Sequence, residues 1–259
     1  MKTKKAKLFV IFTVICKMVF SIIRILKNIK DDLLDIISPK VCLSCGKHIK
    51  SETEDLICSE CLADLSRVDF YKNDENVITE LLDNQDCRIE YGCAFLRFQK
   101  GENTQQILHN IKYYNHPELG LKLGRIAGYQ LKRYNRFSDV DFIIPVPMHP
   151  KKQKKRGFNQ AERIAVGLSE ILKIPIREGI LEKVINTKSQ TKMDKKQRLN
   201  NSRQAFGFAK NIETQDIENK HFLIVDDVFT TGSTMRVCAS LLKKHLPNCK
   251  VSIFALAKA

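Results

Sequence analysis

The sequence predicts an α/β protein in which a parallel sheet is flanked by helices and preceded by a small cysteine-rich module. Apolar runs of strand length at residues 140–146, 221–225 and 250–256 supply the sheet, and helical patterns lie between them. Two Cys-x-x-Cys pairs, at residues 42–45 and 58–61, precede the first of these runs.

Length and charge favour two domains and an anionic partner. The chain has 259 residues, of which 43% are hydrophobic, enough for one core and a small additional module. We predict a basic and apolar helical extension at residues 1–37, the cysteine-rich module at 38–68, a linker at 69–86 and the main domain at 87–259. The formal net charge of +15 indicates a polyphosphate, a nucleic acid or an anionic membrane surface as the partner.

The N-terminal extension combines basic and apolar residues. Lys17 interrupts the apolar run Leu8–Cys16, and residues 8–37 place polar side chains on one helical stripe. We expect an amphipathic helix that lies on a membrane or on the protein, with a membrane-spanning anchor as the alternative. A start of translation at Met18 is a further reading. The protein is expected in the cytoplasm, associated with a membrane surface through residues 8–30.

Four cysteines in two pairs predict a structural zinc site. Cys42 and Cys45 are separated by twelve residues from Cys58 and Cys61, and four thiolates complete a tetrahedral zinc site with no open position. Metal binding would supply folding energy to this short segment. His48 is expected to be solvated. A catalytic dithiol is the alternative for either pair alone, and the remaining five cysteines are assigned no role.

The main domain begins with an alternating strand and two helices. Apolar side chains alternate with polar ones at residues 89–95 and predict the first strand. Residues 104–113 and 119–134 follow with the spacing of helices. The next strand, residues 140–146, contains Pro145 and is followed by Pro147, so an irregular loop is expected at its carboxyl end.

A basic run follows this loop. Residues 151–156 contain five cations, and a helix is expected to continue through Leu172. Such runs are commonly solvated surfaces, yet the position beside a strand end favours a pyrophosphate contact by Arg156, whose guanidinium suits phosphate oxygens. Residues 182–206 are long and polar and lack helical periodicity before Leu199, so we predict a mobile loop over a crevice.

The stretch from His221 to Thr234 carries the strongest signal for a ligand. A strand ends in Asp226 and Asp227, and a turn containing hydroxyl groups and one glycine leads into a helix that Pro247 stops. The helix N-terminus and the hydroxyl groups suit a phosphate, whereas the carboxylates suit ribose hydroxyls or Mg²⁺. The alternative is a solvated strand end followed by an ordinary helix cap. Because the carboxyl ends of strands share one edge of a sheet, this loop and residues 145–149 are expected to face one crevice.

The stretch from His221 to Thr234 resembles the phosphoribosyltransferase signature, in which a hydrophobic strand and an acidic pair precede Thr-Thr-Gly-Ser/Thr. Over roughly residues 30–259, the chain resembles the ComF family. Its motifs match at residues 38–46, 145–149, 156–162, 187–190 and 221–234. The resemblance implies a zinc ribbon followed by a type I phosphoribosyltransferase-like fold. The extension before about residue 28 departs from the family pattern.

The resemblance also implies roles for individual residues. The acidic pair, Asp226 and Asp227, would hold the ribose hydroxyls of phosphoribosyl pyrophosphate, which is bound together with Mg²⁺. The remaining roles fall on a 5′-phosphate loop (Thr230, Thr231, Gly232, Ser233, Thr234), a pyrophosphate loop (Pro145, Val146, Pro147, Met148, with Arg156), a flexible hood (Thr187, Gln190, Arg198) and the zinc ligands (Cys42, Cys45, Cys58, Cys61).

Two functions follow from this reading. The first is an enzyme that transfers a pentosyl group from phosphoribosyl pyrophosphate and releases pyrophosphate, in competence and DNA uptake or in nucleotide salvage. The alternative is a non-enzymatic accessory of the DNA-uptake machinery that handles single-stranded DNA or partners a helicase. Few aromatic residues lie among the lysines, so stacking platforms for single strands are not evident. No acceptor base or amine follows from the motifs.

Overall fold

The computed structural model describes residues 18–22, 39–49, 56–68, 77–82, 88–98, 103–113, 116–133, 137–185, 204–210 and 212–259. These residues belong to two compact units, Met1–Ala63 and Asp64–Ala259, which are described separately.

The first unit contains a short helical segment and the cysteine-rich module. Residues 18–22 are helical, and Met18, Val19, Phe20 and Ile22 are exposed. The rest of the helix predicted at residues 8–37 lies outside the described residues. The cysteine-rich module ends in α1 (Ser59–Ala63). Within the described part of the chain, no helix has both the length and the hydropathy that a membrane crossing requires.

The second unit is built on a four-stranded parallel sheet, which confirms the predicted fold class. Its strands follow the order β1 (Tyr91–Arg97), β6 (Lys250–Lys258), β5 (His221–Phe229) and β2 (Phe142–Pro145). A separate antiparallel pair is formed by β3 (Leu181–Lys183) and β4 (Phe206–Phe208). The described elements are, in chain order, α2 (Val77–Leu82), β1 (Tyr91–Arg97), α3 (Asn103–Tyr113), α4 (Pro117–Leu131), β2 (Phe142–Pro145), α5 (Pro150–Arg156), α6 (Gln160–Leu172), β3 (Leu181–Lys183), β4 (Phe206–Phe208), β5 (His221–Phe229), α7 (Ser233–His245) and β6 (Lys250–Lys258).

The two central strands bury their apolar runs. Phe222, Leu223, Ile224 and Val225 of β5 are fully buried, as are residues 251–257 of β6. Strands buried on both faces read as continuous hydrophobic runs, which is why the sequence located them. Ser252 is the polar exception in β6, and its hydroxyl oxygen lies 2.8 Å from Nε2 of His221.

Helices α4 and α6 pack closely against one another, and glycines set their separation. A Cβ atom at Gly124 would collide with the carbonyl group of Ile164, and one at Gly167 would collide with backbone atoms of Leu121 and Arg125. These two glycines let the helix backbones approach without side chains between them. The N-terminus of α6 lies beside the end of β2, where the side chain of Asn159 donates a hydrogen bond to Val146 O.

Two elements differ from the sequence predictions because tertiary burial outweighs local polarity. Residues 77–82, inside the predicted linker, form α2, and its Ile78 and Leu82 are fully buried. Residues 182–206, predicted as one mobile loop, begin and end in strands: β3 pairs with β4 through Leu181↔Phe208 and Lys183↔Phe206. The residues between, 186–203, lie outside the described part of the chain.

The chain also divides earlier than the predicted module boundary. Residues 64–68 fall in the second unit, where Arg67 forms a bridge with Leu96 and the amide of Val68 donates a 3.0 Å hydrogen bond to Phe95 O. The pairing with β1 accounts for this position, since it gives the backbone groups of this segment partners in the second unit.

Candidate ligand-binding cavity and four-cysteine cluster

The four cysteines of the first unit converge. The sulfur atoms of Cys42, Cys45, Cys58 and Cys61 all lie within 4.8 Å of one another, and the Cys45 and Cys58 sulfurs are 3.8 Å apart. Tetrahedral zinc with zinc–sulfur distances near 2.3 Å requires sulfur–sulfur distances of about 3.8 Å. This cluster therefore has the size of a structural zinc site and fits the predicted zinc ribbon. His48 is exposed and is not among the clustered groups.

The backbone around the first Cys-x-x-Cys pair is folded for metal ligation. A tight turn brings Gly46 N within 2.9 Å of Cys42 O, and Gly46 adopts a left-handed conformation with φ of 73°. The amides of Ser44 and Cys58 donate hydrogen bonds to the sulfur of Cys42, at 3.4 and 3.3 Å. Donors aimed at sulfur stabilise the thiolate, which is the form that binds metal.

Clustering has opposite effects on two of the thiols. Burial raises the pKa of Cys42, but hydrogen bonds from the backbone at Cys58, Cys45 and Ser44 more than offset it and bring the pKa to about 6. Burial and the neighbouring cysteines raise the pKa of Cys61 to about 12. Four thiolates at this spacing need a cation between them, and a divalent metal ion meets that need.

The second unit contains a cavity of about 890 Å³ at the carboxyl ends of the strands. We call it the strand-end cavity. Its walls combine cations with two carboxylates. The lining residues are Lys112, Val146, Pro147, Met148, Lys152, Lys154, Lys155, Arg156, Gly157, Asn159, Gln160, Lys183, Asp226, Asp227 and Thr234.

The cavity brings together many of the residues singled out from the sequence. Val146, Pro147, Met148 and Arg156 face the same space as Asp226, Asp227 and Thr234. The lining does not include Pro145 or the earlier part of the hydroxyl-rich turn, residues 230–233. Thr187, Gln190 and Arg198 lie outside the described residues.

Strand register explains why these two segments meet. β2 and β5 are parallel neighbours in which Pro145 pairs with Val225, and the amide of Val146 donates a 2.8 Å hydrogen bond to Val225 O. The residues that follow this pair, from Val146 and from Asp226, therefore emerge side by side.

The acidic pair, which the sequence predicts at the end of the strand, lies within β5, because the strand is longer than predicted. The strand continues to Phe229, with Asp226 paired to Ala255 and Val228 paired to Ala257. Pairing with β6 keeps the backbone extended beyond the apolar run, so the position of the carboxylates is fixed by a sheet. The amide of Asp227 donates a 2.8 Å hydrogen bond to Oδ1 of Asp226.

The two carboxylates have different surroundings. Burial and the adjacent Asp227 raise the pKa of Asp226 to about 7, although Lys112 and Lys183 partly oppose the rise. The other carboxylate, Asp227, forms an ion pair with Lys112, with 2.9 Å between Nζ and Oδ2. Near neutral pH the carboxyl group of Asp226 is therefore protonated part of the time.

Two lysines that the sequence reading did not single out face the acidic pair. Lys112 belongs to the last turn of α3, and Lys183 ends β3. The ammonium group of Lys183 lies 4.6 Å from the ring centre of Phe206. Burial lowers the pKa of Lys183, as does the nearby Lys152, and Asp226 opposes this. Neither lysine had a distinguishing local pattern, because tertiary packing alone brings both to the cavity.

Asn159 fixes the loop after β2 against α6. Its amide nitrogen donates a 3.0 Å hydrogen bond to Val146 O, and its Oδ1 accepts a 3.2 Å hydrogen bond from the amide of Ala161. The second bond caps α6. Asn159 is 8% exposed, so both bonds are sheltered from water.

The hydroxyl-rich turn leads into α7. Gly232 is the residue before the helix and has φ of 71°, a conformation that side chains disfavour. Added side-chain atoms there would meet Leu82 and Phe229, so this glycine is enclosed by apolar groups. The hydroxyl oxygens of Thr231 and Ser233 lie 2.7 Å apart.

Comparison with known proteins agrees with this geometry. The phosphoribosyl transferase domain family matches residues 154–259, which include the acidic pair and the hydroxyl-rich turn. Adenine phosphoribosyltransferase from Saccharomyces cerevisiae aligns over 56% of this chain and 72% of its own, with 15% identity and a TM-score of 0.34. The family match shows that the second unit contains a phosphoribosyltransferase-like domain.

Relatives in sequence identify the family. The chain is 31% identical over 156 residues to competence protein F of Haemophilus influenzae, an alignment that covers 59% of this chain and 67% of that protein. It is 28% identical over 142 residues to DNA utilization protein YhgH of Escherichia coli K12, covering 54% and 60%. It is 29% identical over 124 residues to competence protein ComFC of Bacillus subtilis, covering 48% and 47%. The chain therefore spans about two thirds of the first relative and less of the others. It belongs to the ComF family.

Proposed function

We propose that the strand-end cavity binds phosphoribosyl pyrophosphate as its magnesium complex and transfers the phosphoribosyl group to an acceptor. The observation that carries the proposal is the meeting of an acidic pair with a basic wall in one cavity. Asp226 and Asp227 offer acceptors for sugar hydroxyls, while residues 152–156 of α5 offer cations for phosphates. A ligand with a diol and a polyphosphate matches this division of charge.

The proposed binding mode assigns the ends of the ligand to different elements. The ribose hydroxyls donate to the two carboxylates of β5, and the pyrophosphate lies along the loop 146–148 with Arg156. The 5′-phosphate is assigned to the turn at residues 230–234. Thr234 supports this assignment because it lines the cavity at the start of α7, where backbone N–H groups favour an anion.

The chemistry proposed needs no protein nucleophile. The acceptor forms a bond to C1 of the ribose as the bond from C1 to the pyrophosphate oxygen breaks, and the electron pair leaves with pyrophosphate. The cations of α5 stabilise the charge that develops on the leaving group, while the acidic pair orients the sugar. Thr187, Gln190 and Arg198 are proposed to belong to a hood that closes over the ligand.

Titration calorimetry tests binding. Zinc-loaded protein should bind phosphoribosyl pyrophosphate with Mg²⁺, and Asp226→Asn and Asp227→Asn should each weaken binding about tenfold or more. Asp216→Asn, which removes one charge at an exposed position, is the matched control. Absence of binding by the unaltered protein would refute the proposal. Pyrophosphate release across a panel of bases and amines then tests transfer and names the acceptor.

The cysteine cluster is proposed to hold structural zinc through Cys42, Cys45, Cys58 and Cys61. The ion would cross-link the two Cys-x-x-Cys pairs and take no part in transfer. We further propose cytoplasmic location with contact to a membrane surface, which the exposed apolar side chains at residues 18–22 support.

A second candidate is a role in handling single-stranded DNA, in a competence or DNA-uptake context and with a helicase as a further partner. The names of the relatives favour the context, and the cations of the cavity favour a phosphate backbone. Binding of a labelled single strand should weaken steeply between about 50 and 200 mM salt if phosphate contacts dominate. Lack of binding at the lowest salt concentration would remove this candidate.

A further inference from the structure

Lys112 makes a contact that neither the fold nor the proposed chemistry accounts for. Its Nζ lies 2.9 Å from Oδ2 of Asp227, and the two side chains are only 27% and 15% exposed. Both residues line the strand-end cavity, so the ion pair lies in the ligand space itself. A pair on a free surface would be screened by water, whereas this one is largely sheltered.

The position of Lys112 is set by the packing of α3. Ile107, Leu108 and Ile111 are buried, and they anchor the helix to the rest of the unit. Lys112 follows Ile111 directly and belongs to the last turn, where the helix dipole favours a cation. The side chain therefore reaches Asp227 from a helix that is anchored by its buried face.

The ion pair offsets negative charge at the acidic pair. Two adjacent carboxylates repel each other, and they also repel the phosphates of an approaching ligand. Lys112 compensates Asp227 from α3, while Lys183 faces Asp226 from β3. The two lysines offset the negative charge of the carboxylates from two directions. Carboxylates that accept hydrogen bonds from sugar hydroxyls can therefore remain in a cavity whose other charges favour polyanions.

We propose that Lys112 is a ligand-positioning residue: it holds Oδ2 of Asp227, so that the carboxylate presents its other oxygen to a ribose hydroxyl. This inference rests on the proposed binding of phosphoribosyl pyrophosphate. It gives α3 a direct part in binding the sugar, although none of the matched family motifs includes residues of this helix. Lys112 remains paired when the ligand binds and is not expelled by it.

Two other roles for Lys112 predict different effects on ligand affinity. If Lys112 only filled the cavity until the ligand displaced it, its removal would strengthen ligand binding. If it only supported the fold, its removal would lower stability and leave affinity unchanged. Affinity and stability together therefore separate the three roles.

The experiment compares Lys112→Met, Lys112→Arg and Lys244→Met by calorimetry with Mg²⁺ and phosphoribosyl pyrophosphate. Lys244 is exposed on α7 and does not line the cavity, so its replacement controls for the loss of one charge. Lys112→Met should raise Kd about tenfold or more, as expected for a lost hydrogen bond to a charged group. Lys112→Arg should recover most of the affinity, and Lys244→Met should bind like the unaltered protein.

A second ligand localises the effect. Inorganic pyrophosphate has no sugar, so Lys112→Met should leave its affinity unchanged or weaken it less than twofold. An unchanged or lower Kd for phosphoribosyl pyrophosphate in Lys112→Met would overturn the positioning role. An equal loss of affinity for both ligands would also overturn it, because the loss would then come from the missing positive charge alone. Failure of the unaltered protein to bind phosphoribosyl pyrophosphate would instead refute the proposed function. Thermal unfolding of each variant, followed by circular dichroism, confirms that the compared proteins are folded.

Discussion

The side-chain amide of Asn159 donates a 3.0 Å hydrogen bond to the backbone carbonyl oxygen of Val146. Through this bond, the residue that caps α6 also fixes the first residue after β2. The wall of the strand-end cavity at residues 146–148 is thus tied to a helix that packs tightly on α4. The loop gains the rigidity of that helix pair, which a binding site requires to hold its geometry.

Asn159→Ala should therefore destabilise the second unit. The variant loses a helix cap, worth about 1 kcal/mol, and leaves the Val146 carbonyl without its donor, which adds about 1–3 kcal/mol where water is excluded. Urea unfolding should show a loss of about 2–4 kcal/mol. His149 provides the control, since it caps α5 through Nδ1 at an exposed position. His149→Ala should cost less than about 1 kcal/mol, and equal losses for the two variants would contradict the role given to Asn159.

The contact between α4 and α6 makes a second prediction. Gly167→Ala places a methyl group against backbone atoms of Leu121 and Arg125, which cannot move aside as a side chain can. Overpacking of this kind costs about 3 kcal/mol. Gly207→Ala serves as the comparison, because the added atom would lie 3.5 Å from Glu182 Oε1, an ordinary contact. Chemical unfolding of both variants gives the measurement, and a fully stable Gly167→Ala protein would mean that the helices are farther apart than described.

Metal content tests the cysteine cluster. In the described part of the first unit, the buried hydrophobic residues are Cys42, Ile57 and Cys61, too few to form a core. We expect purified protein to carry one zinc ion per chain, by plasma mass spectrometry, and strong chelation to make residues 39–63 sensitive to protease. Cys61→Ser should lose the metal. Cys249→Ala, which alters a buried cysteine outside the cluster, should keep it. Zinc retained by Cys61→Ser would rule out the four-cysteine site.

Much of the architecture could be predicted because it depends on local sequence patterns. The continuous apolar runs of β5 and β6 predict buried strands. The spacing of the four cysteines predicts a cluster, and their sulfur atoms lie together in the structure. Parallel strands end at one edge of a sheet, so the loops that follow β2 and β5 could be predicted to face one crevice. Each of these features depends on residues that are near one another in the chain or on a rule about parallel sheets.

The remainder depended on contacts between distant segments. Lys112 is one lysine on an amphipathic helix, and nothing in its neighbourhood distinguishes it from others until α3 is packed. The extension of β5 through Asp226 and Asp227 comes from pairing with β6, which overrides the weak strand preference of aspartate. Helix α2 was hidden in an acidic stretch, because the burial of its Ile78 and Leu82 depends on packing against distant segments.

The acidic pair predicts how stability depends on pH. The pKa of Asp226 rises from an ordinary 3.8 to about 7 because of burial and the adjacent Asp227, so the folded protein binds this proton more tightly than the unfolded chain. Stability from this group is therefore greatest below pH 3.8 and is lost as the pH rises to about 7. Asp226→Asn keeps the oxygen that accepts from Asp227 N and removes the charge. Its gain in unfolding free energy, relative to the unaltered protein, should be larger at pH 8 than at pH 5 by at least about 1.4 kcal/mol, the equivalent of one pKa unit. Asp216→Asn, at an exposed position, should show no such difference. A gain for Asp226→Asn that is equal at both pH values would mean that the carboxylate ionises in the cavity without cost.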